Sequence, residues 1–448
     1  MSSIYLFNRD LRLNDNLCLY NCLLNSSVVY PVFILTNDQI KDNKYYNERS
    51  IDFMCRSLYE LCHMIPLCIF EGDTIRTLKH LIAIKNIKNI YNNFDVSPYA
   101  RNRSLSIKKL CKLNNIMFIQ DIDIFFVRNK LLTKENGKPY LKFTPFYNNA
   151  LKYVKKGEIK NINRMKHKFR KITQNNGIKS LQKYFIPINK LSPFEPGIKG
   201  CRKIIKKILL NGNNYEKNRD YPYLDNTTHL SPYIHLGIIG PQQLLSIFYE
   251  LTKKSRDLLI KQLLWREFYL YIIWMSHNTY SKKSVTIKKR NNIKWRNNIV
   301  LFKKWCEGKT GVPIVDAGMR ELNMSGYMHN RSRMIVAIFL IFYLKINWVH
   351  GERYFAQNLT DYDYCNNLGG WLWCASWESY SNDINKIFSM NSQSIRYDKD
   401  CVYIKKWIPE LNDISPRDIH NWEYNNIYIK PIITNMSTER RNGMKMYT

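Results

Sequence analysis

The sequence predicts two parts: an α/β N-terminal domain on a Rossmann-like parallel sheet, then a larger all-α C-terminal domain. Two observations carry this. From residue 4 to about 130, short apolar runs alternate with helical patterns, as in strands joined by crossover helices. After Pro196 the apolar residues recur at helical spacing.

Taken in order, IYLF, VVYPVFIL, IPLCIFEG and IKNIYNNF read as strands, and residues 48–64 and 74–85 as crossovers. No GxGxxG follows the first strand, so the usual dinucleotide fingerprint is absent and the fold alone assigns no NAD. Lys134–Phe146 (KENGKPYLKFTPF) contains a hairpin turn, and Leu151–Phe169 is rich in Lys and Asn, as an exposed basic linker is. Helices are expected over 199–210, 241–253, 256–275, 299–307 and 328–345, forming a bundle with a large internal cavity. The expected divisions are 1–130, a linker over 131–195, and 196–448.

Hydrophobic residues make up 45% of the 448, enough for a buried core. The 69 basic and 36 acidic residues leave a net charge of +33, which favours polyanions, nucleic acid first and acidic membrane surfaces second. The N-terminus lacks a signal-peptide run, and Ile335–Leu344 is roughly half of the ~20 residues a membrane span needs. Eleven cysteines are scattered without a CxxC, and the nine histidines are equally dispersed. That pattern suits reduced, buried thiols of an intracellular protein, with no disulfide framework and no metal site.

The chemistry concentrates in Gly311–Trp373. Asp316, Arg320, His329, Asn330, Arg331, Arg333, Asp361, Asp363, Asn366 and Asn367 stand there among Trp348, Trp371 and Trp373. Charges beside an apolar helix must be paired or hydrogen-bonded, and this set suits a flat, polar, redox-active ligand. Upstream, Tyr215–Pro222 precedes Thr227–Gly237 (TTHLSPYIHLG). Hydroxyls and backbone N–H groups where a helix begins form a phosphate seat, although a capped loop reads equally from the same residues.

Five words stand in order: EGKTGVPIVDAGMREL (Glu307–Leu322), GYMHNRSRM (Gly326–Met334), NWVHGERYF (Asn347–Phe355), DYDYCNNLGGWLW (Asp361–Trp373) and YIKKWIPEL (Tyr403–Leu411). With FNRDLRLNDN near the start, they make nearly the whole chain resemble the DNA photolyase/cryptochrome family, most closely class I cyclobutane pyrimidine dimer (deoxyribodipyrimidine) photolyases. The resemblance implies FAD, gripped at its phosphates and ribityl chain by Tyr215, Thr227, Thr228, His229, Leu230 and Ser231. Asn330, Arg333, Asp361, Tyr362, Asp363 and Asn367 would surround the isoalloxazine, with Asn367 near N5. Trp371, Trp348 and Trp295 match the family's electron-transfer chain. Their separations fit no helical period, and on spacing alone they read as packing residues.

For UV-damaged DNA, the resemblance places Trp265 and Trp373 around a flipped dimer, Gln262 and Met334 beside it, and Arg219, Arg266, Arg331 and Gln393 on the strand. Extrusion, which photolyases share with other base-flipping enzymes, costs least for an already poorly stacked lesion. Asn93–Ser104 (NFDVSPYARNRS), with Asp95 and Arg49, resembles a deazaflavin-binding antenna segment. Ser97 and Pro98 replace the Asn-Glu pair of a methenyltetrahydrofolate pocket, and Asp-Val-Ser-Pro by itself is a capped turn. The antenna is left open between deazaflavin and methenyltetrahydrofolate.

Several positions depart from the family pattern. Asn8 replaces an Arg, and Tyr327 a Trp. Gln262 replaces a Glu, as in (6-4) photolyases and animal cryptochromes. Asn330 and Met334 stand where a (6-4) enzyme uses histidines. Trp377 and Tyr380 are bulkier than usual, and Lys386 and Met390 replace Arg and Pro, while Phe388 is kept. The expected activity is light-driven splitting of cyclobutane pyrimidine dimers by photoexcited reduced FAD, as a carbon–carbon lyase. The alternatives are a cryptochrome-like blue-light photoreceptor and a basic nucleic-acid-binding protein without the chemistry. The expected protein is a soluble intracellular monomer, cytoplasmic unless Lys288–Arg290 or Arg440–Arg441 serves nuclear import.

Overall fold

Five short strands make one fully parallel sheet: β1 (Ser2–Leu6), β2 (Val28–Leu35), β3 (Cys68–Glu71), β4 (Ile87–Asn93) and β5 (Met117–Asp121), in the order β3-β2-β1-β4-β5. The computed structural model describes all residues except 128–131, 135, 191, 276–292, 297, 376–386, 425–427 and 447–448. Crossovers α1 (Leu17–Leu24), α2 (Glu48–Met64), α3 (Thr74–Lys85) and α4 (Pro98–Leu113) each start at a side-chain cap, respectively Asn16, Asn47, Asp73 and Ser97. Each cap satisfies a first-turn N–H that has no partner within its helix. Ile4, Leu6, Val32, Ile34, Phe70, Leu78 and Ile90 form the sheet's buried core. The expected strands and crossovers are present. β5 was not foreseen, because MFIQD is only partly buried and has no clean alternation.

The chain packs as two compact units, Met1–Asn213 with Thr228–His277, and Asn214–Thr227 with Asn278–Thr448. The division expected at 195/196 is therefore not where the packing divides. Helices α5 (Gly197–Asn211), α6 (Pro241–Tyr249) and α7 (Lys253–Met275) belong to the unit that holds the sheet. Long-range polar links hold them there. Arg12 donates to Gly237 O (2.9 Å) and to Asp123 (2.5 Å). Asp15 accepts the N–H groups of Gln242 (2.7 Å) and Gln243 (3.1 Å).

The second unit contains α8 (Ile299–Cys306), α9 (Pro313–Ser325), α10 (Asn330–Ile338), α11 (Trp348–Asn358), α12 (Tyr364–Cys374), α13 (Met390–Tyr397) and α14 (Val402–Trp407). The single helix expected over 328–345 is α10 followed by one π-helical turn, Phe339–Tyr343. Leu344 N–H reaches back five residues to Phe339 O (3.1 Å), and the Phe339 and Tyr343 rings stack at 5.5 Å. Such turns are rare and recur near functional sites.

Candidate active site

In the second unit the site is built on the first turns of α10. His329 caps this helix, its Nδ1 accepting the N–H of Arg331 (3.1 Å). Glu321 fixes the cap from behind: Oε2 accepts His329 N–H (3.3 Å) and the Tyr403 hydroxyl (2.5 Å). Burial pushes the Glu321 carboxyl up to about 7, with the Tyr403 and His329 hydrogen bonds pulling the other way. Tyr403 begins the YIKKW word on α14, so three of the family-like words meet at this carboxylate, Glu321 supplying it and His329 and Tyr403 donating to it. Sequence reasoning gave Glu321 no role.

Arg333 spans both oxygens of Asp361 (3.1 and 2.9 Å) and donates through Nε to Met328 O (2.8 Å). Its guanidinium carbon lies 5.4 Å from the Tyr327 ring centroid, and the Tyr327 hydroxyl is 3.5 Å from Thr227 Oγ1. The departure at Tyr327 thus keeps an aromatic face for Arg333 and adds a hydroxyl toward Thr227. Tyr362 is partly buried, and burial raises its phenol well above the usual range. Asp363 caps α12, accepting Asn366 N–H (2.9 Å) and Nδ2 (2.7 Å). Asn367 donates through Nδ2 to Glu352 O (3.0 Å) and Oε1 (3.2 Å). Two acceptors fix the amide's orientation, leaving Oδ1 to accept from elsewhere. Glu352, fully buried on α11, is a second supporting residue that the sequence reading missed.

Asp316 is structural. It accepts both the N–H (2.7 Å) and hydroxyl (2.6 Å) of Thr310 and the N–H of Gly311 (2.9 Å). Burial raises its carboxyl to about 6 against those bonds. Trp371 and Trp348 are buried, at 2% and 5% exposure, and Trp295 is half-buried. Trp373, two residues beyond Trp371 on α12, points to another face and is half-buried. A fourth tryptophan emerges that spacing did not single out: Trp305, fully buried, with its ring centroid 6.3 Å from that of Trp371. At Gly351 an added Cβ would meet the Trp371 ring at 2.2 Å, so only glycine lets that ring lie against α11.

Two of the expected DNA-contacting residues, Arg331 and Arg219, share one carboxylate, that of Asp220. Arg331 donates to Asp220 (2.7 Å) and lies 4.2 Å from the Tyr397 ring centroid; Arg219 is 4.0 Å from the same carboxylate. Gln393 sits one turn before Tyr397 on α13, with Oε1 buried and unpartnered among the described residues. Met334 Sδ and Asn330 Nδ2 lie 3.7 Å apart, with Asn330 exposed. Tyr215 is buried, 5.7 Å from the Arg219 guanidinium carbon.

In the first unit, Thr228 and His229 precede a short helix, Ser231–His235, whose N-terminal boundary residue is Leu230. His229 takes a left-handed φ of +52°. Gln262, Trp265 and Arg266 are half-buried on α7. Trp265 stacks on Phe143, within the Lys134–Phe146 stretch, at 3.6 Å and 8°. Arg266 donates to Ile124 O (3.1 Å). Glu267 next to it is fully buried and accepts the N–H groups of Phe126 (2.9 Å) and Val127 (3.3 Å), with burial lifting its carboxyl to about 7.

Also in this unit, a hollow of about 520 Å³ opens near the C-terminal ends of β2 and β3, lined by Thr36, Asp38, Asp73, Tyr99 and Arg103 among others. The residues expected for an antenna are engaged elsewhere: Asp95 with Ser97 N–H (2.9 Å) and Arg9 (3.5 Å), and Arg49 with Lys190 O (3.0 Å). Trp377, Tyr380, Lys386 and Lys288–Arg290 lie outside the described residues. The eleven cysteines are free thiols. Among the described residues no acidic, histidine and cysteine side chains cluster to hold a metal, and no helix is long and apolar enough to cross a membrane.

Comparison with known proteins agrees with this geometry. The family model described as the FAD binding domain of DNA photolyase matches residues 259–447, and the one described as DNA photolyase matches 3–165. A deoxyribodipyrimidine photo-lyase of Buchnera aphidicola is 32% identical over 98% of this chain and 95% of its own length. Its Escherichia coli namesake is 30% identical over 93% and 91%. A solved photolyase from Sulfolobus tokodaii, described with two FAD molecules, superposes with a TM-score of 0.86 at 32% identity, covering 100% of this chain and 99% of that one. A Synechocystis cryptochrome shares the fold, with a TM-score of 0.88 at 22% identity over 99% of each chain. FAD is the cofactor of such a domain, and the second unit's donors fit it: a paired guanidinium, an oriented amide with an acceptor to spare, and tryptophans graded in burial. This chain belongs to the DNA photolyase family.

Proposed function

We propose that this protein is a light-driven lyase that splits cyclobutane pyrimidine dimers in UV-damaged DNA. When bound and fully reduced, FAD supplies one electron on excitation and recovers it after the ring opens. The observation that carries the reading is the pair Asn330 and Met334. These side chains lie in contact on α10, and neither can deliver a proton near neutral pH. Splitting a cyclobutane by electron transfer needs no proton donor, so an amide and a thioether suffice. The deoxyribodipyrimidine photo-lyases at 30% identity and above support the same substrate.

In this reading Arg333, Asp361, Tyr362, Asp363 and Asn367 hold and tune the flavin ring, and Tyr215, Thr227 and Thr228–Ser231 hold its phosphates and ribityl chain. Trp295, Trp348 and Trp371 carry electrons inward from the surface. Trp265 and Trp373 pack on the flipped dimer beside Gln262. Arg219, Arg266, Arg331 and Gln393 hold the strand, which makes binding salt-dependent. The hollow at Tyr99 and Arg103 receives a second chromophore, a deazaflavin or a methenyltetrahydrofolate. The protein acts as a soluble monomer.

Gln262 favours a second reading, a cryptochrome-like photoreceptor. The test is an oligonucleotide with one defined thymine dimer, incubated with flavin-reduced protein under blue light and in darkness. Intact thymines restored only in light establish repair. Photoreducible flavin without repair transfers the case to the photoreceptor.

A further inference from the structure

A cavity in the first unit takes no part in the flavin, DNA or antenna readings. It encloses about 350 Å³ between α5 and α6, within the range of small-molecule sites. Its wall is largely aliphatic, with Ile198 and Ile205 from α5 facing Ile239 and Ile247. Two polar groups stand out. Asn14 lines the cavity, and its Oδ1 is buried with no hydrogen-bond partner among the described residues. A buried carbonyl left so is costly unless something in the cavity donates to it. Arg202, exposed on α5, also lines the cavity and forms no ion pair among the described residues. The other cation in the lining, Arg12, is already paired with Asp123, so Arg202 is the charge these apolar walls offer a ligand among the described residues.

We infer that this cavity binds a compact apolar anion that carries one N–H or O–H. The apolar body packs on the isoleucines, the donor meets Asn14 Oδ1, and the anionic end meets Arg202. Each element answers one feature of the site: a neutral hydrocarbon leaves Asn14 and Arg202 unanswered, and a hydrophilic anion gains nothing from the walls.

The probe is indole-3-propionate, titrated calorimetrically into the full-length flavoprotein. Indole, which lacks the anion, and 1-methylindole-3-propionate, which lacks the donor, serve as comparisons. Binding of the probe is expected, and Ser246→Trp, which fills the cavity, removes it. Arg202→Ala weakens the probe about tenfold, the size of one charge-assisted contact, and leaves indole unchanged. Asn14→Ala abolishes the preference for the probe over its N-methyl analogue. Lys207→Ala, outside the lining, changes nothing. Unchanged flavin content and circular dichroism establish that each variant is folded. Absence of millimolar binding overturns the inference, and so does binding that Ser246→Trp leaves intact.

Discussion

Arg331 and Arg333 stand two residues apart on α10, and each is paired with an aspartate. Two positions along a helix turn the side chains to nearly opposite faces. The difference between the pairs lies in the aspartates: the Asp361 side chain is 3% exposed and that of Asp220 is 43% exposed. A buried pair is expensive to break, because the surviving partner keeps its desolvation cost without its counter-charge. A surface pair is worth little in stability, but it decides how much positive charge the surface offers a polyanion. Both arginines are themselves partly buried, at 26% exposure for Arg333 and 16% for Arg331, so it is the exposed Asp220 that makes the second pair tunable.

Asp361→Asn attacks the buried pair and has the largest expected effect. Arg333 is left with a neutral partner, at a cost on the order of 3 kcal/mol. The protein should unfold at clearly lower urea and purify with little flavin. Full flavin occupancy at an unchanged midpoint would mean that the pair is no more structural than the one at Arg331.

Glu321 tests the cap that aims both arginines. Its carboxyl is raised from the ordinary range to about 7, so the fold prefers the protonated form. Stability is full below about 4.5, falls as the pH rises towards 7, and is level beyond that. At about 1.4 kcal/mol per unit, the loss is on the order of 3–4 kcal/mol. Glu321→Gln keeps an oxygen for both His329 and Tyr403 and removes the titration. The variant should therefore gain on the parent between pH 5 and pH 8 in urea midpoint; equal pH dependence in the two proteins would refute this.

A smaller effect is expected at Asn367. Asn367→Leu keeps the flavin but removes an acceptor available to the reduced ring, lowering its reduction midpoint by about one hydrogen bond, ~1 kcal/mol. Glu352→Ala should shift the midpoint in the same direction, because an amide anchored only by Glu352 O is free to turn. A shift for Asn367→Leu alone would confine Glu352 to packing.

The elements of this molecule were largely legible because their signals are local. The caps at Asn16, Asp73 and Ser97 sit beside the helices they start, and Asn330, Arg333, Asp361 and Asn367 fall within compact words. What was not legible depends on distant partners. Glu321 meets Tyr403, Asp220 meets Arg331, and Glu267 meets the N–H groups of Phe126 and Val127. No periodicity links such residues. The packing of α5 to α7 with the sheet rests likewise on Arg12 and Asp15 reaching residues more than two hundred positions away. The π-helical turn after Ile338 was hidden because its residues are apolar throughout, whichever helix they form.

Asp220→Asn is the gentlest test and bears on the pair with the exposed aspartate alone. The substitution keeps an oxygen for Arg331 Nη2 but removes the negative charge shared with Arg219. Stability should hardly change, as for other exposed pairs. DNA affinity should rise a few-fold at low salt. The slope of log affinity against log salt should steepen by up to ~0.9 for each further phosphate that the freed arginines neutralise. Arg331→Ala should move both quantities the other way. If Asp220→Asn instead weakens binding with an unchanged slope, Asp220 acts by aiming the guanidinium, not by neutralising it. The two arginine–aspartate pairs would then share one positional role, and their difference in burial would carry no functional meaning.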